Sequence, residues 1–506
     1  MRKWLSGVLT LVLAVTVLSG CSFGFGKNDN GSSNEGPQTL KVMYYDESSF
    51  YQEYGMLYSA INPDIEIEVI STNNLYNEVT EEKDYNQVLA EFLEKEKPDI
   101  IMSDMSSMKN LIEKNLFYDL ESYVSQPDYN LEGLGSGVVE AMKEVGNGIL
   151  YGIPTSISSQ VIYYNKDLFD EYSVPYPTDS MTWSEIINLA NMFPTDGEYP
   201  DRVYGLKLAY SNQLADIITS LYYAEGLQQY DPETLTMTMD TPAWNALVQS
   251  AVDIYNSGAL YYDELRWNSP INYEDPNYDS IQYPLVSGMV AMVYEGSYYL
   301  NELNNAKQYS RNPENFTDNW DIVAPPSSSV NGNVSNSVYY GNILSIYSGS
   351  TNIDAAWDFL SYVTGDEFAR VKSKVNYGSL PIRKQYALQD STKNIDAFYA
   401  MKPDLSQQTM DTSEVPQLFL YEFYSVMYEE FNKLQEGTAT VDEVLATLQL
   451  RGNELLAKGV MTDEELQKYW EENSGVFETR PAVEIIDEEV SVEATEEQAT
   501  TEEVVE

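Results

Sequence analysis

Lys97-Pro98-Asp99-Ile100-Ile101-Met102-Ser103-Asp104 holds the passage that decides the fold. Pro98 disfavours helical backbone at Lys97, so it closes the helical run Tyr85 to Lys95. Asp99 to Met102 then reads as a short buried strand. Ser103 and Asp104 fall at the carboxyl end of that strand, where parallel sheets open their binding crevices. The same two residues are good N-caps for the helix expected to begin near Ser106.

The pattern repeats outward from this stretch. Leu40 to Tyr44 and Ile65 to Ile70 read as strands, and Ser107 to Asn115 returns to helix. Strands alternating with helices predict an α/β fold with parallel sheets covered by helices. With 506 residues, 43% of them hydrophobic, the chain can bury a large core and is expected to form two domains.

Composition removes several functions. The chain has no histidine, which closes histidine-based triads and the commonest zinc chemistry. A net charge of −52 repels phosphate backbones, so nucleic acid is not an expected partner. Enzymatic chemistry would have to rest on carboxylates alone, as in a glycoside hydrolase with two acids.

The single cysteine, Cys21, follows an apolar run, Val8 to Leu18, with Arg2 and Lys3 ahead of it. That run is much shorter than the ~20 residues a spanning helix needs, and it reads as a signal peptide. Leu18-Ser19-Gly20-Cys21 resembles the bacterial lipobox, which implies cleavage before Cys21, lipidation of its thiol and anchoring at the membrane. An ordinary secretory signal with an incidental cysteine is the plainer alternative. Ser22 to Gln38 is polar and Gly/Ser/Asn-rich, a flexible tether. Glu484 to Glu506 carries ten acids and no base, a composition that does not order.

Further motifs follow in chain order: Asn115-Leu116-Phe117-Tyr118-Asp119-Leu120, Tyr151-Gly152-Ile153-Pro154, Val161 to Phe169, Thr182-Trp183-Ser184-Glu185-Ile186, Ser287 to Met292 with Glu295-Gly296-Ser297, Trp320 to Pro326, Ala355 to Leu360 and Glu436 to Val444. Together with Lys97 to Asp104 they resemble the bacterial extracellular solute-binding proteins of the maltose-binding type. The resemblance implies a two-lobed periplasmic-binding-protein-like fold (type II), with discontinuous lobes, hinge strands and a ligand held between the lobes. The crossings are expected near Pro154 to Ile162, Pro325 to Val338 and Gly378 to Ile382. The implied organisation is a signal peptide at 1–20, a tether at 21–38 and an acidic disordered tail at 471–506. Between them, 39–156 plus 331–380 form one lobe and 157–330 plus 381–470 the other.

The resemblance also nominates cleft residues. Tyr45, Asp46 and Glu47 end the first strand, although turn chemistry explains them nearly as well. Ser103, Asp104, Ser156, Asn212, Glu295 and Ser297 are further polar candidates. Tyr298 stands where relatives carry a sugar-stacking aromatic, and Tyr424 stands near another such position. Tyr340 (with Gly341 and Asn342), Tyr377 and Trp267 complete the set. The 42 tyrosines suit sugars, since each offers a flat apolar face and a hydroxyl, though most are expected to be ordinary packing. Asn272 to Ser280 gathers oxygen ligands but lacks the spacing of a calcium loop, so no metal and no cofactor are expected.

The expected function is therefore a substrate-binding lipoprotein of an ABC importer, not an enzyme. It would capture an oligosaccharide and deliver it to a membrane permease, as a monomer on the extracytoplasmic face of a cell, expected to be Gram-positive. Two alternatives stay open: the same fold with a peptide, polyamine or sugar acid as ligand, and a carboxylate-based glycoside hydrolase. The few basic residues near the cleft weigh against an anionic sugar.

Overall fold

A computed structural model describes residues 38–470 apart from 81–82, 136, 199–201, 209–210, 263–276, 328–331, 333, 375–379, 388–391, 411, 413, 460, 462–464 and 467. Cys21, the tether, the acidic tail, Trp267, Tyr377 and most of the Asn272–Ser280 loop lie outside the described residues. Among the described residues, no helix is long and apolar enough to cross a membrane.

The expected strand–helix units are present. Strands β1 (Gln38–Tyr44), β2 (Ile65–Ser71) and β3 (Ile100–Ser103) pair in parallel, with β1 in the middle. The helices Tyr85–Glu96 and Met105–Glu113 flank β3 in sequence. Asp99 is buried because it fastens this corner: its carboxylate accepts from the Lys41 amide at 2.9 Å and the Ser350 hydroxyl at 2.6 Å.

Strand β4 (Gly152–Asn165) organises the rest. Its 14 residues extend about 46 Å at ~3.3 Å per residue. Three later strands pair with it antiparallel: β9 (Val290–Gly296), β10 (Trp320–Val323) and β12 (Val338–Ile346). Gly152 to Ser159 pairs with β12, which reaches β3, whereas Gln160 to Asn165 pairs with β9 and β10. Beyond β9 lie β5 (Tyr204–Lys207) and β8 (Leu260–Tyr261), both parallel. The sheet path is thus β2-β1-β3-β12-β4-β9-β5-β8, with the short β13 (Leu380–Pro381) also on β4. Two small ribbons, β6 (Tyr230–Asp231) with β7 (Thr236–Met237) and β11 (Val334–Ser335) with β14 (Lys402–Pro403), lie apart.

Two apolar cores form on this sheet. The first collects Leu40, Ile100, Leu111, Ile153, Ile343 and Phe359; the second collects Ile162, Trp183, Leu206, Trp244, Met292 and Phe419. Ile382 and the segment Ile395 to Met401 side with the first, while the last long helices, Gln417–Gln435 and Val441–Leu456, pack in the second. Because alternate residues of a strand face opposite ways, Ile162 joins the second core and Tyr163 the first.

The second half of β4 is locked by charge. Asp321 on β10 accepts from the Lys166 ammonium at 2.7 Å and the Asn394 amide at 2.8 Å. Burial pushes its carboxyl up, but Lys166 and the backbone N–H groups outweigh that and hold it below the usual carboxylate value. Its stabilisation is therefore present above the unfolded pKa, about 3.9, and lost as pH falls through the lower folded value. Asp321→Asn is expected to lower the melting temperature clearly at pH 7, with the gap closing as pH falls below the ordinary carboxylate range. A gap that stays equal as pH falls would refute the assignment.

Candidate functional site

Beside the point where β4 passes from β12 to β9, one face of the sheet is open. On β4, Ser156, Ser158 and Gln160 alternate with the buried Ile157, Ser159 and Val161. Opposite them, Gly341 pairs with Ser156 and Tyr339 with Ser158, while Gly296 at the end of β9 pairs with Gln160. Tyr339 is 39% exposed, and its neighbour Tyr340 is turned into the first core. Gly341 keeps this strip low, since a Cβ there would stand 2.6 Å from the Ser156 Oγ.

At one end of the strip lies a cavity of about 540 Å³ lined by Glu53, Tyr54, Thr155, Ser156, Asn342 and Lys372 among others. That volume lies within the ~300–1,000 Å³ of small-molecule sites. The Glu53 carboxylate accepts from the Tyr44 hydroxyl at 3.0 Å and from Asn342 Nδ2 at 3.2 Å. Asn342 Nδ2 also lies 2.7 Å from the Tyr54 hydroxyl, which shares a hydrogen bond with Thr155 at 3.0 Å. Asn342 adopts left-handed backbone (φ 47°), which asparagine tolerates better than most residues. Burial pushes both phenols far above the ordinary tyrosine range, reinforced for Tyr44 by Tyr54 and Glu53 and for Tyr54 by Glu53, so both stay neutral hydroxyls.

At the other end, about 13 Å along β4 by strand rise, is a second polar group. Glu295 and Lys207 are both buried and meet at 3.0 Å. Tyr298, 43% exposed, donates its hydroxyl to the other Glu295 oxygen. The Tyr163 hydroxyl donates to the Gly296 carbonyl at 2.8 Å, which fixes the end of β9.

The residues nominated from sequence separate into groups. Ser156 lies in the strip and Tyr298 at its far end beside Gly296, whereas Glu295, paired with the buried Val161, faces the core side of the sheet. Tyr45 is exposed and its carbonyl accepts from Ser71 Oγ at 2.7 Å. Asp46 caps the helix Glu47–Phe50, accepting from the Ser49 amide at 2.9 Å and its hydroxyl at 2.6 Å; these bonds hold its carboxyl below the usual range. Glu47 is exposed in that helix's first turn. Asp104 caps Met105–Glu113 through the Ser107 amide at 2.7 Å, and the Ser103 hydroxyl is buried without a hydrogen-bond partner among the described residues. Ser297 is buried, and Asn212 is exposed just ahead of the helix Leu214–Glu225. Tyr340 is buried where exposure was expected, and Tyr339 takes the open position because residues of a strand alternate between faces. Tyr424 is half exposed, its ring 4.6 Å from that of Tyr428, whose hydroxyl donates to Asp216. Glu53, Tyr54, Tyr339 and Lys372 had no local sequence signal.

Comparison with known proteins matches a family model described as bacterial extracellular solute-binding protein over residues 31–369, about two thirds of the chain. The chain belongs to the bacterial extracellular solute-binding protein family. Curated relatives of this solute-binding protein include proteins of Brucella abortus and Brucella suis described only as binding proteins, 26% identical over 266 residues. The match covers 51% of this chain and 57% of each relative, so the chain spans just over half the length of those relatives. A sugar transporter of Rhizobium etli in an open conformation is similar in structure (TM-score 0.54, 21% identity), covering 82% of this chain and 99% of its own. The sugar-binding protein MalE of Xanthomonas citri gives a TM-score of 0.56 at 17% identity, covering 88% and 100%. These likenesses show the two-lobed α/β fold expected of solute-binding proteins, and the family is one of binding proteins.

Proposed function

We propose that this solute-binding protein captures a carbohydrate between its two lobes and hands it to the permease of an ABC importer. The proposed lobes are 39–156 with 331–380 and 157–330 with 381–470, although Ile382 and the segment Ile395 to Met401 pack in the first core. Lipid on Cys21 would hold the monomer at the extracytoplasmic face of the membrane, with 22–38 as its tether.

The observation that carries this reading is the open strip on β4. A strand shared by both halves presents Ser156, Ser158 and Gln160 beside the exposed Tyr339, with a polar cavity at one end and Tyr298 at the other. Hydroxyls and an amide that alternate with core residues are rigidly held, and such donors and acceptors match the polar edges of a sugar. A tyrosine ring beside them supplies an apolar face and excludes water. Closure of the lobes over the strip would complete the enclosure.

Calorimetric titration of the protein with neutral oligosaccharides, peptides and polyamines tests the reading. A saccharide is expected to bind and to be recovered unchanged. Gly341→Val, which raises the strip floor, is expected to weaken that binding at least about tenfold. Binding of peptides or polyamines alone, or cleavage of the sugar, would overturn the proposal.

A further inference from the structure

The cavity beside the strip carries a charge that the proposed sugar-binding reading leaves unexplained. Lys372, the last residue of the helix Asp366–Lys372, lines that cavity together with Ser49, Gln52, Ser156 and Asn342. It is half-buried, with its ammonium 6.0 Å from the Phe368 ring, and among the described residues no carboxylate stands within ion-pairing distance of it. Most other partly buried cations here are committed: Lys166 to Asp321, Lys207 to Glu295, Arg383 to Asp366 and Arg451 to Glu430.

Glu53 is the acid on the cavity wall, and one of its two oxygens, Oε2, accepts from both Tyr44 and Asn342. Its field counteracts the burial that pulls the Lys372 pKa below the usual lysine value. The hydroxyls of Ser49 and Ser156 and the amide of Gln52 lie on the same wall without charge. An ammonium that has lost part of its water shell and makes no ion pair at contact distance is costly, and a ligand carboxylate would supply that pair.

We infer that this cavity is a subsite for the carboxylate of an acidic sugar, so that the carbohydrate captured belongs to the uronic-acid class, with Lys372 as the residue that reads its charge. The inference rests on the carbohydrate reading above and revises the expectation that basic residues are too scarce for an anionic sugar. The neutral donors and acceptors around Lys372 would hold the ring hydroxyls, while the carboxylate replaces the water lost by the ammonium.

The test is calorimetric titration of the full chain with oligogalacturonates, oligoglucuronates and aldouronates, each beside its carboxyl methyl ester and its neutral hexose counterpart. At least one acid form is expected to bind about tenfold or more tightly than its ester, with the preference shrinking as salt is raised. Lys372→Gln is expected to bring the acid-to-ester ratio close to one, and Lys372→Arg to retain much of it, with thermal melts confirming that both variants fold. Acid forms that bind no better than their esters, or a preference that survives Lys372→Gln, would overturn the subsite. Binding of neutral sugars with no acid preference would sink this inference and leave the carbohydrate reading standing. Failure of every saccharide to bind would sink both.

Discussion

Lys207→Ala is expected to destabilise the protein by about 3–5 kcal/mol, because it breaks a buried ion pair by removing one partner. Lys207 and Glu295 come from neighbouring strands β5 and β9, and each is about 5% exposed. Water cannot replace the lost partner there, and the bond from the neutral Tyr298 hydroxyl carries no charge. The measurement is the denaturant midpoint of unfolding. The double variant Lys207→Met with Glu295→Leu removes both charges and is expected to recover most of the loss. A single variant as stable as the parent would mean that the pair is solvated and that Tyr298 is oriented by something else.

The second large effect concerns Arg383, which is 1% exposed beside β13. Its Nε donates to the Thr364 carbonyl at 2.5 Å and its Nη1 to the Asn130 carbonyl at 2.9 Å, with Asp366 at 3.4 Å. The guanidinium also lies 5.5 Å from the Tyr129 ring, whose hydroxyl shares a hydrogen bond with Thr364 at 2.9 Å. Arg383→Ala takes the guanidinium donor away from the buried Thr364 carbonyl and empties a large volume, for an expected loss of about 3–5 kcal/mol. Arg383→Lys keeps the charge but not the planar fork, and is expected to restore less than half of the loss. Thermal and chemical unfolding of the three proteins checks this; full rescue by lysine would show that charge alone matters there.

Both effects depend on partners far apart in the chain, and so does most of the candidate site. The elements themselves were legible locally. Pro98 ends one helix, Asp104 begins the next, and Thr182 with Glu185 and Thr440 with Glu443 form capping boxes that start two more. These are contacts over three or four residues, so neighbouring side chains suffice to specify them. The same locality explains why Asp46 and Asp104 serve as caps in the structure: nearby backbone N–H groups satisfy their oxygens at short range.

The strip and its cavity were not legible in that way. Glu53 meets Asn342 across 289 positions and Lys207 meets Glu295 across 88. No periodicity relates such pairs, because each depends on which strands become neighbours in the sheet. The adjacent tyrosines of β12 make the point most simply. Residues 339 and 340 are the same amino acid, and either could face the open side. Only the register of β12 on β4, with Tyr339 against Ser158 and Tyr340 against Ile157, decides which ring is exposed.

By itself, then, the sequence determined the alternation of strands and helices, the positions of the caps, the motifs of a solute-binding family and the absence of histidine chemistry, all properties carried by residue type and short spacing. Tertiary structure alone decided which side of β4 stays open, that Tyr339 lies on that side, and that Lys372 reaches a cavity where, among the described residues, no carboxylate stands within ion-pairing distance of it. The physical reason is that a strand has two faces of equal intrinsic standing until sheet register and the packing of a core bury one of them.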